Sequence, residues 1–245
     1  MRLTRIYTSQ KLTSNTAVTL EPEPSRHIAR ALRMGVGETL TLFDGRGGEY
    51  VADITAVTRQ CVTLRTGEQQ PGLAESPLAI QLGIAVSRGE RMDWVMQKAT
   101  ELGVASIAPL RSENCAVKLS AERAEKKWRH WQQIINSACE QSGRCHIPQV
   151  QPINSLGQWT AAADAQRKFI LDPGVAASQL GAPPPASVAL LVGPEGGFSD
   201  AELEAAEAEG FQALRLGPRV LRTETAPLAA IALLQGLWGD MQAGD

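Results

Sequence analysis

The feature that most constrains the fold is a regular alternation of short apolar runs and longer helical segments, which begins at residue 78. The apolar runs are rich in Val, Ile, Leu and Ala and have the length of buried strands. They cover residues 79–86, 106–110, 168–171, 188–192 and 213–216. Strands that are buried on both faces and separated by helices are typical of a parallel sheet. We therefore predict an α/β fold with a parallel sheet for this part of the chain.

Residues before about position 70 follow a different pattern. Short runs of alternating apolar and polar residues surround one helical stretch at residues 27–34, which predicts a small β-rich domain. The strand candidates there are residues 39–43, 49–57 and 61–65. Residues 67–77 are polar and rich in turn formers, which is typical of a linker. We therefore predict two domains, comprising residues 1–72 and 73–245.

Helix signals are strong at three places in the second predicted domain. Residues 91–104 carry a single apolar stripe, which indicates an amphipathic helix. A longer candidate helix carries Trp128 and Trp131 on its apolar face, and we expect both to pack in the core. Ser199 and Glu202 have the spacing of a capping box, which predicts the start of a further helix.

The charge distribution permits a nucleic-acid partner without requiring one. The net charge is -2, but partners respond to local fields rather than to totals. Residues 1–70 and 88–146 carry more Lys and Arg than Asp and Glu, whereas residues 195–209 hold six acidic residues and no basic one. Both basic regions are therefore compatible with RNA binding.

The sequence favours a cytoplasmic protein with no membrane partner and no metal. The first ten residues lack the apolar core of a signal peptide, and the most apolar stretch, residues 228–238, is too short to span a bilayer. The four cysteines lack CxxC spacing and are expected to be free thiols. A zinc site formed by Cys139, Cys145 and His146 is an alternative, but it is one ligand short.

Glycine-rich residues 190–200, LLVGPEGGFSD, run from a predicted strand into the capped helix. This geometry holds nucleotide-like ligands in many α/β proteins, and Gly193, Gly196 and Gly197 allow close approach of the backbone to a ligand. The segment is neither a P-loop nor a GxGxxG motif. An ordinary glycine-rich turn is the structural alternative.

A second loop, RLGPRVLRTETAP, also connects a predicted strand to a helix. Thr225 is its predicted N-cap. Arg219, Arg222 and Glu224 lie within six residues, a concentration of charge that core packing does not require. A surface ion-pair network is the alternative explanation. A third strand end, FILDPG at residues 169–174, supplies a matching turn.

Together the three loops resemble the S-adenosylmethionine site of the SPOUT methyltransferases. The motif sequences themselves resemble those of the RsmE family, which methylates N3 of a uridine in small-subunit ribosomal RNA. The matching segments occur in order along both predicted domains. They are residues 5–7, 27–38, 87–104, 138–144, 193–199 and 216–226. The resemblance implies a PUA-like RNA-binding domain, a SPOUT domain with a deep trefoil knot, a homodimer, and ribosomal RNA or the small ribosomal subunit as partner.

On this basis we predict the residues of the site. The cofactor S-adenosylmethionine is expected to contact Leu171, Gly193, Glu195, Gly196, Gly197, Leu216, Gly217, Val220, Leu221 and Thr223. Arg222 is expected to stabilise negative charge on the uracil, and Glu224 or Glu195 to accept its N3 proton. The predicted RNA phosphate contacts are Arg5, Arg26, Arg33, Arg88 and Arg144.

Two alternatives remain at this stage. One is a non-catalytic RNA-binding or ribosome-assembly protein, which the intact GPEGG and LRTET motifs disfavour. The other is a nucleotide-using enzyme of the doubly wound class, which the missing phosphate-loop lysine disfavours. Four points stay open in the sequence: the modified RNA position, whether the substrate is free RNA or an assembled subunit, the proton acceptor, and how a dimer shares its active sites.

Overall fold

The computed structural model describes residues 3–115, 120–175, 180–181 and 183–242, which pack into two compact units. Unit 1 contains the described residues up to Glu75 together with Asn136–Ile147, and unit 2 contains the described residues of the remainder. The predicted division placed every residue after 72 in the second domain. Residues 136–147 instead pack in unit 1, where the amide of Gly47 donates to the carbonyl of Cys145 over 3.0 Å. Local sequence patterns do not encode such a long-range partner.

The sheet of unit 1 is built mainly from antiparallel pairs. Its strands are β1 (Arg5–Tyr7), β2 (Ala17–Thr19), β3 (Thr39–Phe43), β4 (Gly48–Val57) and β5 (Val62–Pro71). Their order is β1-β3-β4-β5-β2, and β1 pairs with β3 in parallel. Inward-facing side chains of β3, β4 and β5 form the core with Ile28. The predicted β-rich domain is therefore confirmed.

Two details of unit 1 differ from the prediction. The helical stretch begins earlier than expected, with α1 (Pro22–Arg26) followed by a π-helical turn, His27–Ala31. The predicted linker at residues 67–77 is wrong over its first half, because β5 continues to Pro71 and pairs with β4 as far as Gly48. Strand pairing uses backbone groups, so a polar, turn-rich sequence can extend an antiparallel ladder.

Unit 2 contains a parallel sheet, as predicted. Its strands are β6 (Ala79–Ala85), β7 (Ser106–Arg111), β8 (Gln149–Val150), β9 (Asn154–Ser155), β10 (Arg167–Leu171), β11 (Ser187–Val192) and β12 (Gln212–Leu214). The order is β12-β10-β11-β6-β7-β8, and β9 also pairs with β7. Every pairing within this described sheet is parallel. The carboxyl ends of β10, β11 and β12 consequently meet at one edge.

The helices that follow these strands are α2 (Arg91–Glu101), α3 (Ala121–Ser142), α4 (Leu156–Ala162), α5 (Asp200–Ala208) and α6 (Thr225–Trp238). Trp131 on α3 is fully buried, and its indole N–H donates to Asp93 over 3.1 Å. The indole N–H of Trp128 donates to the carbonyl of Val150 over 3.0 Å. The prediction of core packing is therefore confirmed for Trp131, whereas Trp128 is only half-buried. Among the described residues, no helix is long and apolar enough to cross a membrane.

Candidate functional site

A cavity of about 350 Å³ lies in unit 2, at the carboxyl ends of three neighbouring strands. Its wall comes mainly from the segments after β10, β11 and β12. The lining residues are Leu171, Asp172, Pro173, Val192, Gly193, Pro194, Glu195, Gly197, Phe198, Leu203, Leu214, Leu216, Gly217, Arg219, Val220, Leu221, Thr223 and Ala226. Open α/β sheets bind ligands at this edge because the strand-to-helix loops converge there.

All but one of the predicted cofactor residues line this cavity. The exception is Gly196, where an added Cβ would lie 3.2 Å from the Cβ of Asn114. Gly196 therefore faces a neighbouring loop, and a larger residue there would require Asn114 to shift by a few tenths of an ångström. The structure brings the predicted residues together, and their contact with a cofactor stays a prediction.

The loop after β11 is held in a tight turn. Gly197 has a positive φ of 72°, and its amide donates to the carbonyl of Pro194 over 3.0 Å. The predicted capping box is confirmed, with Ser199 and Glu202 satisfying each other's backbone amides. Glu202 also accepts from the Ser112 hydroxyl over 3.0 Å. The loop is therefore fixed both by its own helix and by the segment after β7.

The loop after β12 is fastened to the loop after β10 by Arg215. Its guanidinium donates to the carbonyl of Gly217 over 3.1 Å and to that of Val175 over 3.2 Å. Gly217 has a positive φ of 74°, a conformation that favours glycine. The sequence patterns did not single out Arg215, because its partner Val175 lies forty residues earlier in the chain. Two of the three pocket segments are therefore joined directly.

The predicted catalytic side chains occupy the rim rather than the interior. Glu195 lines the cavity and forms an ion pair with Arg91, the first residue of α2. The Nε atom of Arg91 also lies 3.7 Å from Oε2 of Glu224. The side chain of Arg222 is exposed, and neither Arg222 nor Glu224 lines the cavity. The sequence patterns did not identify Arg91, which was taken only as the start of a helix.

Glu224 also corrects the predicted start of α6. It is the N-cap residue, and Thr225, the predicted cap, is the first helical residue. The Glu224 side chain makes no capping hydrogen bond. Instead the carbonyl of Arg222 accepts from the amides of Thr225 and Ala226, over 2.8 and 2.9 Å. The Arg222 carbonyl therefore satisfies the first two amides of the helix, whereas a Thr225 cap would have accepted from a later one.

The chemical character of the cavity suits a flat, uncharged ring system. Leu171, Leu216, Val220 and Leu221 supply apolar surface, while the glycine-bearing turns expose backbone amides and carbonyls. An added Cβ at Gly193 would lie 2.9 Å from the ring of Phe198, so the wall requires glycine there. Backbone amides and carbonyls can form hydrogen bonds with the polar edge of a purine, and apolar side chains can pack on its faces. These residues therefore fit an adenosyl group.

Two predicted RNA contacts, Arg5 and Arg144, are placed inside unit 1. Arg5 pairs with Glu49, its guanidinium lies 4.8 Å from the ring centre of Phe43, and its side chain is only 7% exposed. Arg144 is similarly buried and pairs with Glu75. Burial and pairing leave little of either guanidinium for a phosphate group, which disfavours RNA contact at these two positions. The role of both arginines stays a prediction.

The remaining predicted RNA contacts are accessible. Arg26 on α1 and Arg33 after the π-helical turn are exposed in unit 1. Arg88, which precedes α2 in unit 2, is also exposed. Exposure is what phosphate contact requires, and the role of these three arginines stays a prediction.

The surroundings of the buried cysteines give no support to the zinc alternative. The Cys139 thiol donates to the backbone carbonyl of His146 over 3.6 Å. Burial raises the pKa of Cys139 to about 12, which favours the neutral thiol over the thiolate that zinc requires. Within the described parts of the chain, no group of three or more His, Cys, Asp or Glu side chains has the arrangement of a metal site.

Comparison with known proteins gives a consistent result for both units. The RNA methyltransferase domain family matches residues 74–235, and the RNA methyltransferase PUA domain family matches residues 20–66. The chain is 34% identical over 242 residues to ribosomal RNA small subunit methyltransferase E of Buchnera aphidicola from Schizaphis graminum, with 98% of each chain covered.

Two solved structures are similar over almost the whole chain. A Legionella pneumophila protein in complex with its bound cofactor S-adenosylmethionine has a TM-score of 0.95 and 44% identity, and covers 98% of this chain and 100% of its own. The ribosomal RNA small subunit methyltransferase E of Neisseria gonorrhoeae, bound to S-adenosylmethionine, has a TM-score of 0.93 and 40% identity, with the same coverage. The similarity therefore includes the loops that surround the cavity.

Proposed function

This chain belongs to the ribosomal RNA small subunit methyltransferase E family, and on that premise we propose that it transfers a methyl group from S-adenosylmethionine to N3 of a uridine in small-subunit ribosomal RNA. The coarser activity, methylation of small-subunit ribosomal RNA with this donor, follows from the family. The choice of N3 of uridine comes from the resemblance to the RsmE family. The observation that supports methyl transfer at this site is the cavity at the ends of β10, β11 and β12, beside which lie both a cation and carboxylates.

The wall of the cavity supports adenosyl binding through backbone groups. Leu171, Leu216 and Gly217 line the cavity together with Gly193 and Gly197 of the loop after β11. Since the polar contacts would come mainly from main-chain atoms, the shape of the turns matters more than the side chains. S-Adenosylmethionine supplies a methyl group on a positively charged sulfur. Holding that group in line with the attacking atom lowers the barrier by removing rotational and translational freedom.

The rim charges support reaction at a nitrogen that bears a proton. Uridine N3 must lose its proton as the N–C bond forms and the S–C bond breaks with its electron pair going to sulfur. The negative charge that develops spreads onto the two uracil carbonyl oxygens, and the exposed guanidinium of Arg222 is suited to stabilise it. Glu224 or Glu195 is suited to accept the N3 proton.

The remaining parts of the proposal concern the RNA and the assembly. Arg26, Arg33 and Arg88 would contact phosphates, which position the RNA without reading its sequence. Exposed apolar side chains on α6, Leu233 and Leu237, support a homodimer, since such groups are commonly covered by a partner. The resemblance to SPOUT enzymes supports a deep trefoil knot in unit 2. A ribosomal RNA substrate supports a cytoplasmic location.

The decisive experiment maps methylated uridines in ribosomal RNA from cells that lack the protein. We expect one N3-methyluridine in the small-subunit RNA to disappear, and to return when the wild-type gene is supplied. Complementation with Arg222→Ala is the matched control, because its exposed side chain contributes little to folding. Loss of a methyl group at a different atom, or no loss at all, would refute the proposed specificity. Purified small subunits and free RNA, tested in parallel, identify the substrate.

A further inference from the structure

We infer that Arg91 is a positioning residue that holds the two rim carboxylates, Glu195 and Glu224, in a single arrangement for methyl transfer. This inference rests on the proposed function, because it concerns the same site. It adds a residue from α2 to a site otherwise built from the segments after β10, β11 and β12, together with α5 and α6. Arg91 does not line the cavity, so it acts through the carboxylates that it contacts.

The contacts of Arg91 join two pocket loops through one planar group. Its Nη1 atom donates to Oε1 of Glu195, in the loop after β11. Its Nε atom lies 3.7 Å from Oε2 of Glu224, at the end of the loop after β12. A guanidinium carries several donors in a rigid plane, so the two carboxylates are held at a set separation. Without this cation the two negative charges would face each other uncompensated.

The environment of Glu224 shows why the charge of Arg91 matters. Its Oε2 atom is buried and accepts no hydrogen bond from the described residues. A buried carboxylate oxygen that accepts no hydrogen bond destabilises the folded state unless a positive charge lies close by. Arg91 is the charged group found beside it, at the distance of an ion pair. Loss of that charge should drive the Glu224 carboxylate toward solvent, and its loop carries Arg222 only two residues earlier.

An ordinary surface ion pair is the competing explanation, since the Arg91 side chain is 41% exposed. Exposed pairs contribute little to stability and have no reason to affect turnover. The contacts of Arg91 differ from an ordinary surface ion pair in two respects. Both partners belong to loops of the cavity, and the Glu224 side chain is only 19% exposed. The ion pair of Arg129 with Glu125 on α3 provides a true surface pair for comparison.

The first test compares steady-state methyl transfer by Arg91→Ala, Arg91→Lys and Arg129→Ala. We expect Arg91→Ala to lower kcat about tenfold while the Kd for S-adenosylmethionine, measured by calorimetry, changes less than about threefold. Arg91→Lys should recover part of kcat, because it keeps the charge. Arg129→Ala should match the wild type. An equal loss of affinity and turnover in Arg91→Ala would mean that Arg91 only supports the loop structure.

The second test is a double-mutant cycle with Glu224→Gln. The amide of Glu224→Gln removes the negative charge that Arg91 compensates. Arg91→Ala should therefore lower kcat by a smaller factor in the Glu224→Gln background than in the wild type. Independent effects that simply multiply would overturn the inference. Total methyl transfer is the readout, so the cycle holds even if the wild type methylates a different RNA atom, an outcome that would refute only the proposed function. If Arg91→Ala does not fold, Arg91→Gln takes its place.

Discussion

Several arginines of the two units lie in opposite environments, although they belong to segments that resemble the same family. In unit 1, Arg5 and Arg144 are buried, and each is paired with one carboxylate. In unit 2, Arg91 and Arg222 lie near the cavity and remain exposed. The difference shows that a motif match does not distinguish a buried, paired arginine from an accessible one beside the cavity. Burial and the identity of the partner make that distinction.

The physical reason is the cost of moving a charge out of water. A buried guanidinium needs its carboxylate, and removing one partner leaves the other uncompensated. An exposed guanidinium near a reacting group costs little in stability and is available to the transition state. Substitutions in the two units should therefore separate into effects on stability and effects on turnover. The following predictions test that separation, beginning with the largest expected effect.

Arg222→Ala should reduce kcat by about 100-fold, because a cation beside developing negative charge is lost. The unfolding free energy and the affinity for S-adenosylmethionine should stay near wild type, since the side chain is exposed and does not line the cavity. Steady-state kinetics, calorimetry and urea denaturation measure the three quantities. Near-normal turnover with normal donor affinity would show that the electrostatic role of Arg222 is wrong.

Arg5→Ala should have the opposite effect to Arg222→Ala, lowering stability while leaving turnover unchanged. We expect the unfolding free energy to fall by about 2 kcal/mol, somewhat less than for a fully buried pair. The reason for the smaller value is that Glu49 keeps 25% of its side chain exposed. The folded fraction should retain its kcat. Arg129→Ala, which breaks an exposed pair, should change stability by less than about 0.5 kcal/mol. A stable Arg5→Ala protein with impaired RNA binding would restore the original phosphate-contact hypothesis.

Gly217→Ala should weaken S-adenosylmethionine binding by about tenfold, because the residue has a positive φ that an alanine adopts only with strain. The added Cβ meets no atom within 4 Å, so the effect is not a steric clash. Gly210→Ala is a matched control, since that glycine also has a positive φ and an open Cβ position but does not line the cavity. Equal donor affinity for both variants would argue against backbone-mediated binding.

Arg33→Gln should produce the smallest effect, about a threefold loss of RNA affinity at low salt, with a shallower dependence of affinity on salt concentration. Arg33 is exposed in unit 1, unlike Arg5 and Arg144, so its loss removes at most one phosphate contact. Filter binding of small-subunit RNA over a salt series measures the slope. A slope identical to that of the wild type would exclude Arg33 from the RNA interface, and the same series with Arg26→Gln then tests the other exposed candidate.

Local sequence patterns were sufficient for most elements of the fold. The five apolar runs of unit 2 correspond to β6, β7, β10, β11 and β12 with shifts of a residue or two at their ends. The capping box at Ser199 formed as predicted. The cavity could also be anticipated, because loops after parallel strands converge at one edge. These features depend on side-chain periodicity and on backbone conformation near each residue, which neighbouring residues largely determine.

The sequence alone determined most of the strands and helices, and which glycine-bearing loops line the cavity. Only the tertiary structure decided which charges meet. Arg91 pairs with a carboxylate 104 residues away, and Arg5 with one 44 residues away. The first pair depends on the strand order of unit 2, β12-β10-β11-β6-β7-β8, and the second on that of unit 1, β1-β3-β4-β5-β2, and both orders differ from the order in the chain. Whether two charges pair depends on their distance in space and on their burial, and the local sequence determines neither.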